Sequence, residues 1–393
     1  MPKKNKSRSA IKNKRIKPIH IHLSAATILI ITLVVIFFGY IAARLVTLDT
    51  FKARPFFTVK SLGKIDPKVA TKTSPLSMRT NYNLSGQGSG TIAIIDAYDN
   101  PSIETDLAVF NSKYGLSSCT TANGCFEKHK MNSKIAVNSS WAMEIALDIE
   151  WAHAIAPGAK ILLVEASSNS GTDLLSAVNY AASRNDVKAI SMSWGGSEFT
   201  TELNYENNFT SKFGANFFAA SGDSGHITSW PSVSANVISV GGTTLNYNAA
   251  GAIISETAWS GSGGGLSSYI KEPTHQISAN IPQSKGYRAT PDVSYNADPN
   301  SGYPVYMSTS YLGLTGWFLL GGTSAGAPQW AAISTISGTG FNLGKIYNDA
   351  SKVNQKYFKD ITTGKNGSCG YYCNAQSGFD YVTGLGSPVT TSF

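Results

Sequence analysis

Histidine and cysteine are scarce in this chain, which has six histidines and four cysteines among 393 residues. No histidine lies at ligand spacing from the cysteines, so the sequence disfavours a zinc site. Cys119 and Cys125 are close in sequence, as are Cys369 and Cys373. We therefore predict two local disulfides, which are typical of an oxidising compartment.

The scarcity of histidine also limits the choice of a catalytic base. None of the six lies in a glycine-rich segment of the H-G-T-H type. His153 lies in an apolar helical pattern and is better explained as a packed side chain. His226 closely follows the Ser-Gly-Asp-Ser-Gly segment and stays open as a base. The others, near the N-terminal apolar run or in polar loops, are His20, His22, His129 and His275.

Acidic residues are nearly absent from the first 80 positions. These positions hold 16 Lys/Arg and 2 Asp/Glu, a balance of +14, whereas residues 81–393 hold 16 Lys/Arg and 22 Asp/Glu, a balance of −6. The net charge of +8 therefore comes from the N-terminal part. The rest of the chain shows no signal for nucleic-acid binding.

An apolar run at residues 23–43 follows a basic segment, residues 3–17, with eight Lys/Arg. Twenty-one helical residues span about 31 Å, enough for the hydrocarbon core of a membrane. Tyr40 and Ile41 stand where a cleaved signal peptide needs small residues. We therefore predict an uncleaved, single-pass signal-anchor rather than a cleaved signal peptide or a nucleic-acid-binding arm. Its basic end stays in the cytoplasm and the following chain lies outside.

The predicted organisation has four parts. A basic cytoplasmic tail and the transmembrane anchor come first. A stalk without clear periodicity then leads to one large extracytoplasmic domain. The predicted boundaries are 1–22 for the tail, 23–46 for the anchor, 47–73 for the stalk and 74–393 for the domain.

Short β-branched runs alternate with helical patterns from residue 89 onward. This alternation predicts an α/β fold with a mostly parallel sheet. Sites in such folds lie at the carboxyl ends of the strands. The predicted strands are 91–96, 160–165, 189–194, 216–221 and 237–240, and the predicted helices are 102–114, 141–156 and 173–182.

Residues 321–328 read Gly-Gly-Thr-Ser-Ala-Gly-Ala-Pro, between an apolar run (311–320) and an Ala-rich amphipathic segment (329–336). This pattern predicts a strand, a tight glycine turn and a helix that begins near Ser324. Unpaired N–H groups at a helix N-terminus favour negative charge, which suits a nucleophilic serine whose attack creates an oxyanion. The alternative is that Thr323 and Ser324 only cap the helix.

Two acids, Glu144 and Asp148, lie four residues apart in a predicted helix and share one face. Their neighbours are apolar, which indicates burial rather than a solvated face. Two carboxyl groups in one site raise one pKa, so that a proton can be shared. Glu144 is therefore a candidate base for Ser324, with Asp148 orienting it.

A third acid, Asp223, lies in the segment Ser-Gly-Asp-Ser-Gly. An oxyanion needs hydrogen-bond donors, and a carboxyl group donates only when it is protonated. Together with Ser324 and the paired acids, Asp223 indicates acyl transfer at low pH.

These motifs resemble the sedolisin (serine-carboxyl peptidase) family, which has a subtilisin-like fold. The resemblance covers residues 74–393. It rests on three motifs, which are E-x-x-x-D in a helix, S-G-D-S-G and G-T-S-A-G-A-P, in this order along the chain. Further matches are I-A-I-I-D-A-Y-D, A-I-A-P-G-A-K-I, S-M-S-W-G-G-S-E and D-Y-V-T-G-L-G-S-P. The fold expected from this resemblance is α/β and subtilisin-like.

The resemblance implies a role for each of these residues. Ser324 is the nucleophile, Glu144 the general base, Asp148 its partner and Asp223 a stabiliser of the oxyanion. Asp96 matches the strand-end aspartate of subtilisins and is expected to be structural. The expected edges of the peptide-binding cleft are Ser193, Trp194, Gly195, Gly196, Gly263 and Gly264, together with Gly265.

The same family binds one structural calcium ion near its C-terminus. The resemblance assigns the ligands to Asp360, Ile361, Gln376, Gly378 and Asp380. Carboxylate and carbonyl oxygens suit this hard cation. Asp-capped turns without a metal are the alternative. Cys369 and Cys373 are expected to brace the loop between the two ligand groups.

One departure from the family concerns its large N-terminal prodomain. Only about thirty residues separate the predicted anchor from residue 74, fewer than the ~50 that a domain needs.

We expect a membrane-anchored endopeptidase that acts on proteins or peptides outside the cell at acidic pH. The alternatives are a Ser-His-Asp protease that uses Asp96 and a histidine, and an inactive anchored binding domain.

Overall fold

The computed structural model describes residues 47–48, 50–61, 65–67, 71–350 and 357–393. Within these residues, no helix has the length and apolar character needed to cross a membrane. The predicted cytoplasmic tail (1–22) and anchor (23–46) lie outside the described residues.

Seventeen strands are formed by the described residues. In chain order they are β1 (Arg54–Pro55), β2 (Thr58–Ser61), β3 (Thr91–Ala97), β4 (Phe126–Lys130), β5 (Lys160–Ala166), β6 (Val187–Met192), β7 (Trp194–Gly195), β8 (Asn216–Ala220), β9 (Val237–Tyr247), β10 (Ile253–Ala258), β11 (Gly265–Lys271), β12 (Tyr287–Thr290), β13 (Val293–Asn296), β14 (Tyr303–Tyr311), β15 (Leu314–Gly321), β16 (Phe358–Lys359) and β17 (Ser387–Pro388).

Seven α-helices accompany these strands in the same part of the chain. They are α1 (Pro75–Asn81), α2 (Ile103–Tyr114), α3 (Ser139–Ile155), α4 (Gly171–Ala182), α5 (Thr274–Ala279), α6 (Gly326–Ser337) and α7 (Leu343–Ala350). Short 3-10 helices lie at Glu202–Phe209, Pro299–Ser301, Thr323–Ala325, Gly338–Gly340 and Gly370–Cys373.

The central sheet has eight strands in the order β10-β9-β8-β6-β3-β5-β4, with β13 also paired to β9. Every pairing in this sheet is parallel except that of β9 with β10. The predicted α/β fold with a mostly parallel sheet is therefore confirmed. The predicted strands and helices all lie within a few residues of observed ones, although the strand predicted over 189–194 is interrupted at Ser193.

Both faces of the sheet are covered, which explains why β3 is buried along its whole length. Successive side chains of a strand point to opposite faces. Ile92 and Ile94 accordingly pack into the cluster that contains α3 and α6. Ala93 and Ile95 pack into the cluster that contains α4. A continuous apolar run, rather than an alternating one, is the sequence pattern of such a strand.

Helix α3 runs through the interior of the domain. The side chain of Asn138 caps it by accepting hydrogen bonds from the N–H groups of Ser140 and Trp141. Every residue from Trp141 to Ile155 is buried. Carboxyl side chains on this helix are therefore withdrawn from water, as the apolar neighbours of Glu144 predicted.

Residues 50–61 do not extend away from the domain, as the predicted stalk (47–73) would. Strand β1 pairs with β7, and strand β2 pairs with β15. Phe51 and Phe56 are buried at 5% and 3% exposure, so the segment adds apolar surface to the domain. This part of the stalk prediction is wrong because the pairing partners lie far away in the sequence.

Both predicted disulfides are confirmed. The Cα atoms of Cys119 and Cys125 are 4.8 Å apart, and those of Cys369 and Cys373 are 5.3 Å apart. These separations are within the usual range for a disulfide.

Candidate active site

Ser324 lies between strand β15 and helix α6, as predicted. The strand ends at Gly321, and Gly322 turns the chain with a φ of 121°. A Cβ atom on Gly322 would lie 2.2 Å from the carbonyl oxygen of Phe56. Ser324 then stands in the short 3-10 helix Thr323–Ala325, which leads directly into α6. The glycine therefore allows both the turn and a close approach of another backbone to the serine.

The hydroxyl group of Ser324 is buried and has two hydrogen bonds. Its Oγ donates to the carbonyl oxygen of Ser193 at 3.0 Å. The same Oγ accepts from the backbone N–H of Phe56 at 3.1 Å. The hydroxyl of Ser193 in turn donates to the carbonyl oxygen of Ser324 at 3.2 Å. Ser324 is thus held between the end of β6 and residues 54–61, which we call the N-terminal segment.

Glu144 lies next to Ser324, Asp148 lies next to Glu144 and Ser193, and both acids are fully buried. Burial, together with the Asp148 and Asp96 carboxyl groups, raises the pKa of Glu144 well above its usual range, and the nearby Ser324 hydroxyl opposes part of this rise. Burial likewise raises the pKa of Asp148, opposed by the side chains of Ser193 and Glu144. Their carboxyl oxygens form no hydrogen bond of standard geometry to a described residue. The pair is therefore suited to holding a shared proton beside Ser324.

Asp96 belongs to the same acidic cluster, although the sequence indicated only a structural role. It is fully buried, and neither of its carboxyl oxygens is hydrogen-bonded to a described residue. Burial raises its pKa, and so do the charges of Asp148 and Glu165. Glu165 lies opposite Asp96 on β5 and forms an ion pair with Lys128 at 2.9 Å. The cluster of buried acids therefore includes Asp96 and Glu165 in addition to Glu144 and Asp148.

Asp223 is half-buried, and its two oxygens have different surroundings. Oδ1 accepts hydrogen bonds from the backbone N–H and the hydroxyl of Thr323, both at 2.8 Å. Oδ2 has no hydrogen-bond partner among the described residues. Burial raises the pKa of Asp223 to about 7, although the bonds from Thr323 oppose the rise. A proton on Oδ2 would turn this oxygen into a donor.

The carbonyl oxygen of Phe56 marks where an oxyanion would lie. It accepts a hydrogen bond from the backbone N–H of Ser324 at 3.2 Å. Asp223 Oδ2 lies on the same side, because both oxygens are within 2.5 Å of the point that a Cβ on Gly322 would occupy. The site therefore places one N–H group and one carboxyl oxygen around a single carbonyl oxygen.

The predicted cleft edges divide into two groups. Ser193, Trp194, Gly195 and Gly196 lie beside the N-terminal segment, where Trp194 and Gly195 pair with β1. In contrast, the N–H groups of Gly263 and Gly264 donate to the carbonyls of Gly222 and Ile227, at 2.7 and 3.2 Å. These two glycines support the loop that carries Asp223 rather than pairing with the segment. A cavity of about 290 Å³ is lined by Gly195, Gly196, Gly222, Asp223 and Phe56, among other residues.

No histidine within the described parts of the chain is hydrogen-bonded to Ser324. The backbone N–H of His226 donates to the Asn366 carbonyl, and its ring lies 6.4 Å from that of Tyr372. His153 bonds to the Ser117 carbonyl at 3.0 Å, on the packed helix predicted for it. A Ser-His-Asp arrangement therefore has no support in this geometry.

The predicted calcium ligands lie together in the loop around residue 378. The N–H of Gly378 donates to Asp360 Oδ2 at 2.9 Å, and that of Gln376 donates to Asp380 Oδ2 at 3.1 Å. Ile361 is buried beside Asp360. Burial raises the pKa of Asp380 to about 6 and also raises that of Asp360. The carboxyl groups of Asp360 and Asp380 are oxygen ligands of the kind that a hard cation such as Ca²⁺ prefers.

Comparisons with known proteins agree with this geometry. Residues 80–341, more than half of the chain, match the Subtilase family. Kumamolisin from Bacillus sp. (strain MN-32) is 32% identical over 384 residues, which cover 86% of this chain and 67% of kumamolisin. Sedolisin from Pseudomonas sp. (strain 101) is 29% identical over 358 residues, which cover 80% of this chain and 59% of sedolisin. The chain thus spans about two thirds or less of the length of these relatives.

A solved structure is also similar over most of its length. Pseudomonas sedolisin, a serine-carboxyl proteinase complexed with two molecules of pseudo-iodotyrostatin, superposes with a TM-score of 0.69 at 28% identity. The match covers 82% of this chain and 96% of that one. Fold and site together define a serine-type endopeptidase with a subtilisin-like fold. Within this class, the chain belongs to the sedolisin family of serine-carboxyl peptidases.

Proposed function

We propose that this chain is a serine-carboxyl endopeptidase that hydrolyses proteins or peptides at acidic pH through an acyl-enzyme on Ser324. The observation that carries this proposal is the pair of groups around the Phe56 carbonyl oxygen, namely the Ser324 N–H and Asp223 Oδ2. An acyl-transfer site needs this arrangement at the oxygen that becomes negative.

In the first step, Ser324 Oγ attacks the carbonyl carbon of the substrate and gives its proton to Glu144. The hydroxyl must turn from the Ser193 carbonyl, its present acceptor, toward Glu144. A proton shared with Asp148 then holds the Glu144 carboxyl group in position. Because burial raises the pKa of both acids, the pair carries a proton over a wider pH range than exposed carboxyl groups do.

The oxyanion is stabilised by two donors, the backbone N–H of Ser324 and protonated Asp223. Asp223 acts only while Oδ2 carries its proton, that is, below its pKa of about 7. Glu144 then returns the proton to the leaving amine, and water hydrolyses the acyl-enzyme by the same steps in reverse order. Activity should therefore be limited to acidic pH.

Two further features of the proposal concern the rest of the chain. Residues 23–46 anchor the protein in a membrane with its N-terminus in the cytoplasm, so that the peptidase domain acts outside. One Ca²⁺ ion would be held by Asp360, Asp380 and the carbonyls of Ile361, Gln376 and Gly378. When bound, this ion links the loop around residue 378 to the chain near Asp360 and has a structural role.

The decisive test is hydrolysis of a denatured protein by the full chain as a function of pH. The amide in Glu144→Gln cannot accept the serine proton, so we expect kcat to fall by about 10³-fold or more. Ser324→Ala should be equally inactive.

A matched control is Glu150→Gln, on the same helix. Glu150 is also fully buried and has a raised pKa, but it accepts its hydrogen bond from the N–H of Tyr306 and not from the site. This variant should keep its activity and its pH profile. Equal loss in both variants would mean that Glu144 acts only through folding, and activity that persists in Glu144→Gln would exclude it as the base.

A further inference from the structure

The cavity of about 290 Å³ beside Asp223 has a wall that several separate parts of the chain build together. Most of its lining comes from three short stretches, residues 195–197, 222–224 and 227–229. In the proposed mechanism the oxyanion lies next to Asp223, so the side chain on the acyl side of the cleaved bond enters this space. We call it the acyl-side cavity. Its selectivity for side chains depends on how these stretches are spaced.

Backbone hydrogen bonds fix the stretch 227–229 at its two ends. Gly196 and Trp230 exchange N–H to carbonyl hydrogen bonds at 3.0 and 2.9 Å. The carbonyl oxygen of Ile227 accepts from the N–H of Gly264 at 3.2 Å. Thr228 stands between these two points, and a carboxyl group, that of Glu198, holds its side chain.

The Glu198 carboxyl group connects this stretch to strand β11. Its Oε1 accepts a hydrogen bond from the hydroxyl of Thr228, and its Oε2 accepts one from the hydroxyl of Ser267. The backbone N–H of Ser268 lies 3.3 Å from Oε1 and 3.1 Å from Oε2 and bonds to both. The Ser267 oxygen itself accepts from the N–H of Ile270 at 2.9 Å, which leaves its proton for Glu198.

This set of partners suits a carboxylate. Two hydroxyl groups and one backbone N–H converge on Glu198 as donors. Hydrogen bonds to an ionised acceptor are stronger than those between neutral groups. Without this acceptor, Thr228 and β11 would no longer be held at a fixed distance from Ser197, the lining residue that precedes Glu198.

Glu202 is a second carboxyl group next to Glu198 and is fully buried. Its Oε2 accepts from the N–H of Phe199 at 2.9 Å, whereas its Oε1 has no hydrogen-bond partner in the described part of the chain. The acids that face it are Glu198 and Glu206, and burial together with the Glu198 charge raises the pKa of Glu202 to about 9. Glu202 therefore keeps its proton at acidic pH and adds no charge that would repel Glu198.

We propose that Glu198, supported by neutral Glu202, is a positioning residue that fixes the wall of the acyl-side cavity and thereby the selectivity of the peptidase for the side chain bound there. This inference rests on the proposed function. The hydrogen bonds of Glu198 go to the wall and to β11, so the residue acts on substrate binding rather than on proton transfer.

The test uses the full chain and two synthetic peptides that differ in one residue. The first peptide has the sequence around the fastest cleavage site with a large acyl-side residue in a denatured protein, and the second has alanine in place of that residue. We expect Glu198→Ala to lower the ratio of kcat/KM between the two peptides by about tenfold, mainly through a higher KM for the first. A cavity with a displaced wall loses contacts with a large side chain, whereas alanine makes few of them.

Substitutions at Glu202 test the role of its proton. The amide in Glu202→Gln can still accept from the N–H of Phe199 and can donate to Glu198, as the protonated acid does. This variant should keep the wild-type ratio at every pH where the enzyme is active. Glu202→Ala should lower the ratio, because it removes both interactions.

Glu206→Ala is the matched control on the same 3-10 helix. Burial raises the pKa of Glu206 as well, but its carboxyl group accepts from the Ser234 hydroxyl and the Ala235 N–H, both at 2.9 Å. Neither of these residues lines the cavity. The variant should keep the wild-type ratio. If Glu198→Ala does not fold, Thr228→Val decides, because it removes one of the wall bonds at nearly equal volume and should lower the ratio by a smaller factor.

The outcomes separate this inference from the proposed function. An equal fall in kcat/KM for both peptides would mean that Glu198 only supports the fold, and it would overturn the inference, as would an unchanged ratio. A ratio that falls as far in Glu202→Gln as in Glu202→Ala would overturn the role of neutral Glu202. If the wild type hydrolysed neither the peptides nor the denatured protein at any pH, the proposed function itself would be wrong.

Discussion

Asp223 is a carboxyl group whose surroundings favour a proton on one particular oxygen. Oδ1 already accepts two hydrogen bonds from Thr323, so its lone pairs are occupied. Oδ2 is buried without a partner among the described residues, and a bare negative charge there would be unfavourable. A proton on Oδ2 relieves this cost and at the same time supplies the donor that an oxyanion needs. Burial thus converts an acidic side chain into a hydrogen-bond donor.

This argument predicts the pH profile of Asp223→Asn. The amide oxygen can accept from Thr323, while the amide nitrogen takes the place of Oδ2 and donates at every pH. In the wild type, Asp223 loses its proton as the pH rises through about 7, which removes a donor and adds a negative charge beside the oxyanion. We expect wild-type activity to fall in this range and that of Asp223→Asn to fall less, measured as kcat from pH 3 to 8.

Asp223→Ala provides the comparison, because it removes the donor altogether. Loss of one oxyanion donor lowers kcat by about 10²- to 10³-fold. If Asp223→Asn lost activity near pH 7 as steeply as the wild type, a different group would have to control this limb of the profile.

Local spacing decided which site residues could be predicted from the sequence. Glu144 and Asp148 are four residues apart, so the geometry of a single helix places them together. Ser324 followed from the glycine turn at the end of a strand. Phe56 is 268 residues away from Ser324 and has no motif of its own, so nothing local indicated their hydrogen bond. The proximity of Asp96 to Asp148 likewise depends on how α3 packs on β3.

At the scale of elements, the sheet was predictable and the N-terminal strands were not. Buried parallel strands such as β3 and β5 are continuous apolar runs, and helices such as α4 show clear periodicity. Strand β1 has two residues and β2 has four, too few for a recognisable pattern. Their conformation is fixed by partners from β7 and β15, which only the folded domain brings to them.

The loop around residue 378 carries the next prediction. If Ca²⁺ links this loop to Asp360, the ion stabilises the folded state, and free calcium at 100 times its dissociation constant adds about 2.7 kcal/mol. We expect EGTA to lower the Tm of the Ser324→Ala chain, which cannot digest itself, and calcium to restore it. Asp360→Ala should abolish this response.

Asp360 is the better position to change, because Asp380 has structural bonds of its own. The N–H groups of Val382 and Thr383 both donate to Asp380 Oδ1 at 2.8 Å, so its removal would disturb the loop with or without calcium. A Tm that does not depend on calcium, with the loop intact, would favour an Asp-capped turn without a metal.

At the scale of the whole molecule, the buried acids make stability depend on pH in an unusual direction. Asp96, Glu144 and Asp148 are fully buried, and burial raises the pKa of each well above its usual value. Between the unfolded pKa values near 4 and these raised values, the folded state binds more protons than the unfolded state. The free energy of unfolding must therefore fall as the pH rises above about 4.

Other acids make the free energy of unfolding rise, rather than fall, as the pH increases. Bonds from Arg184 lower the pKa of Asp186 to about 2, and Lys128 and Lys130 lower that of Asp99. Their contributions to the free energy of unfolding are fully present above the pKa of each group in the unfolded chain. They are lost as the pH falls through the pKa of the same group in the folded chain. The side chains of Asp186 and Lys130 are 40% and 36% exposed, so solvent screening weakens these ion pairs. The fully buried cluster should therefore dominate between pH 4 and 8.

We predict that the chain unfolds at a higher temperature near pH 4 than near pH 8, and that neutral amides remove much of this difference. In an inactive Ser324→Ala background, the triple change Asp96→Asn, Glu144→Gln and Asp148→Asn should raise Tm at pH 8 and have little effect at pH 4. Each proton that only the folded state holds contributes a slope of about 1.4 kcal/mol per pH unit.

Glu150→Gln in the same background gives a graded comparison for this measurement. Glu150 is one buried acid with a raised pKa, whereas the cluster beside Ser324 contains three that also repel one another. The single change should therefore remove a smaller part of the pH dependence of Tm than the triple change does. An unchanged slope in the triple variant would mean that these acids ionise in the folded state as readily as in the unfolded one. The domain would then gain no stability from acid, and a shared proton beside Ser324 would lose its physical basis.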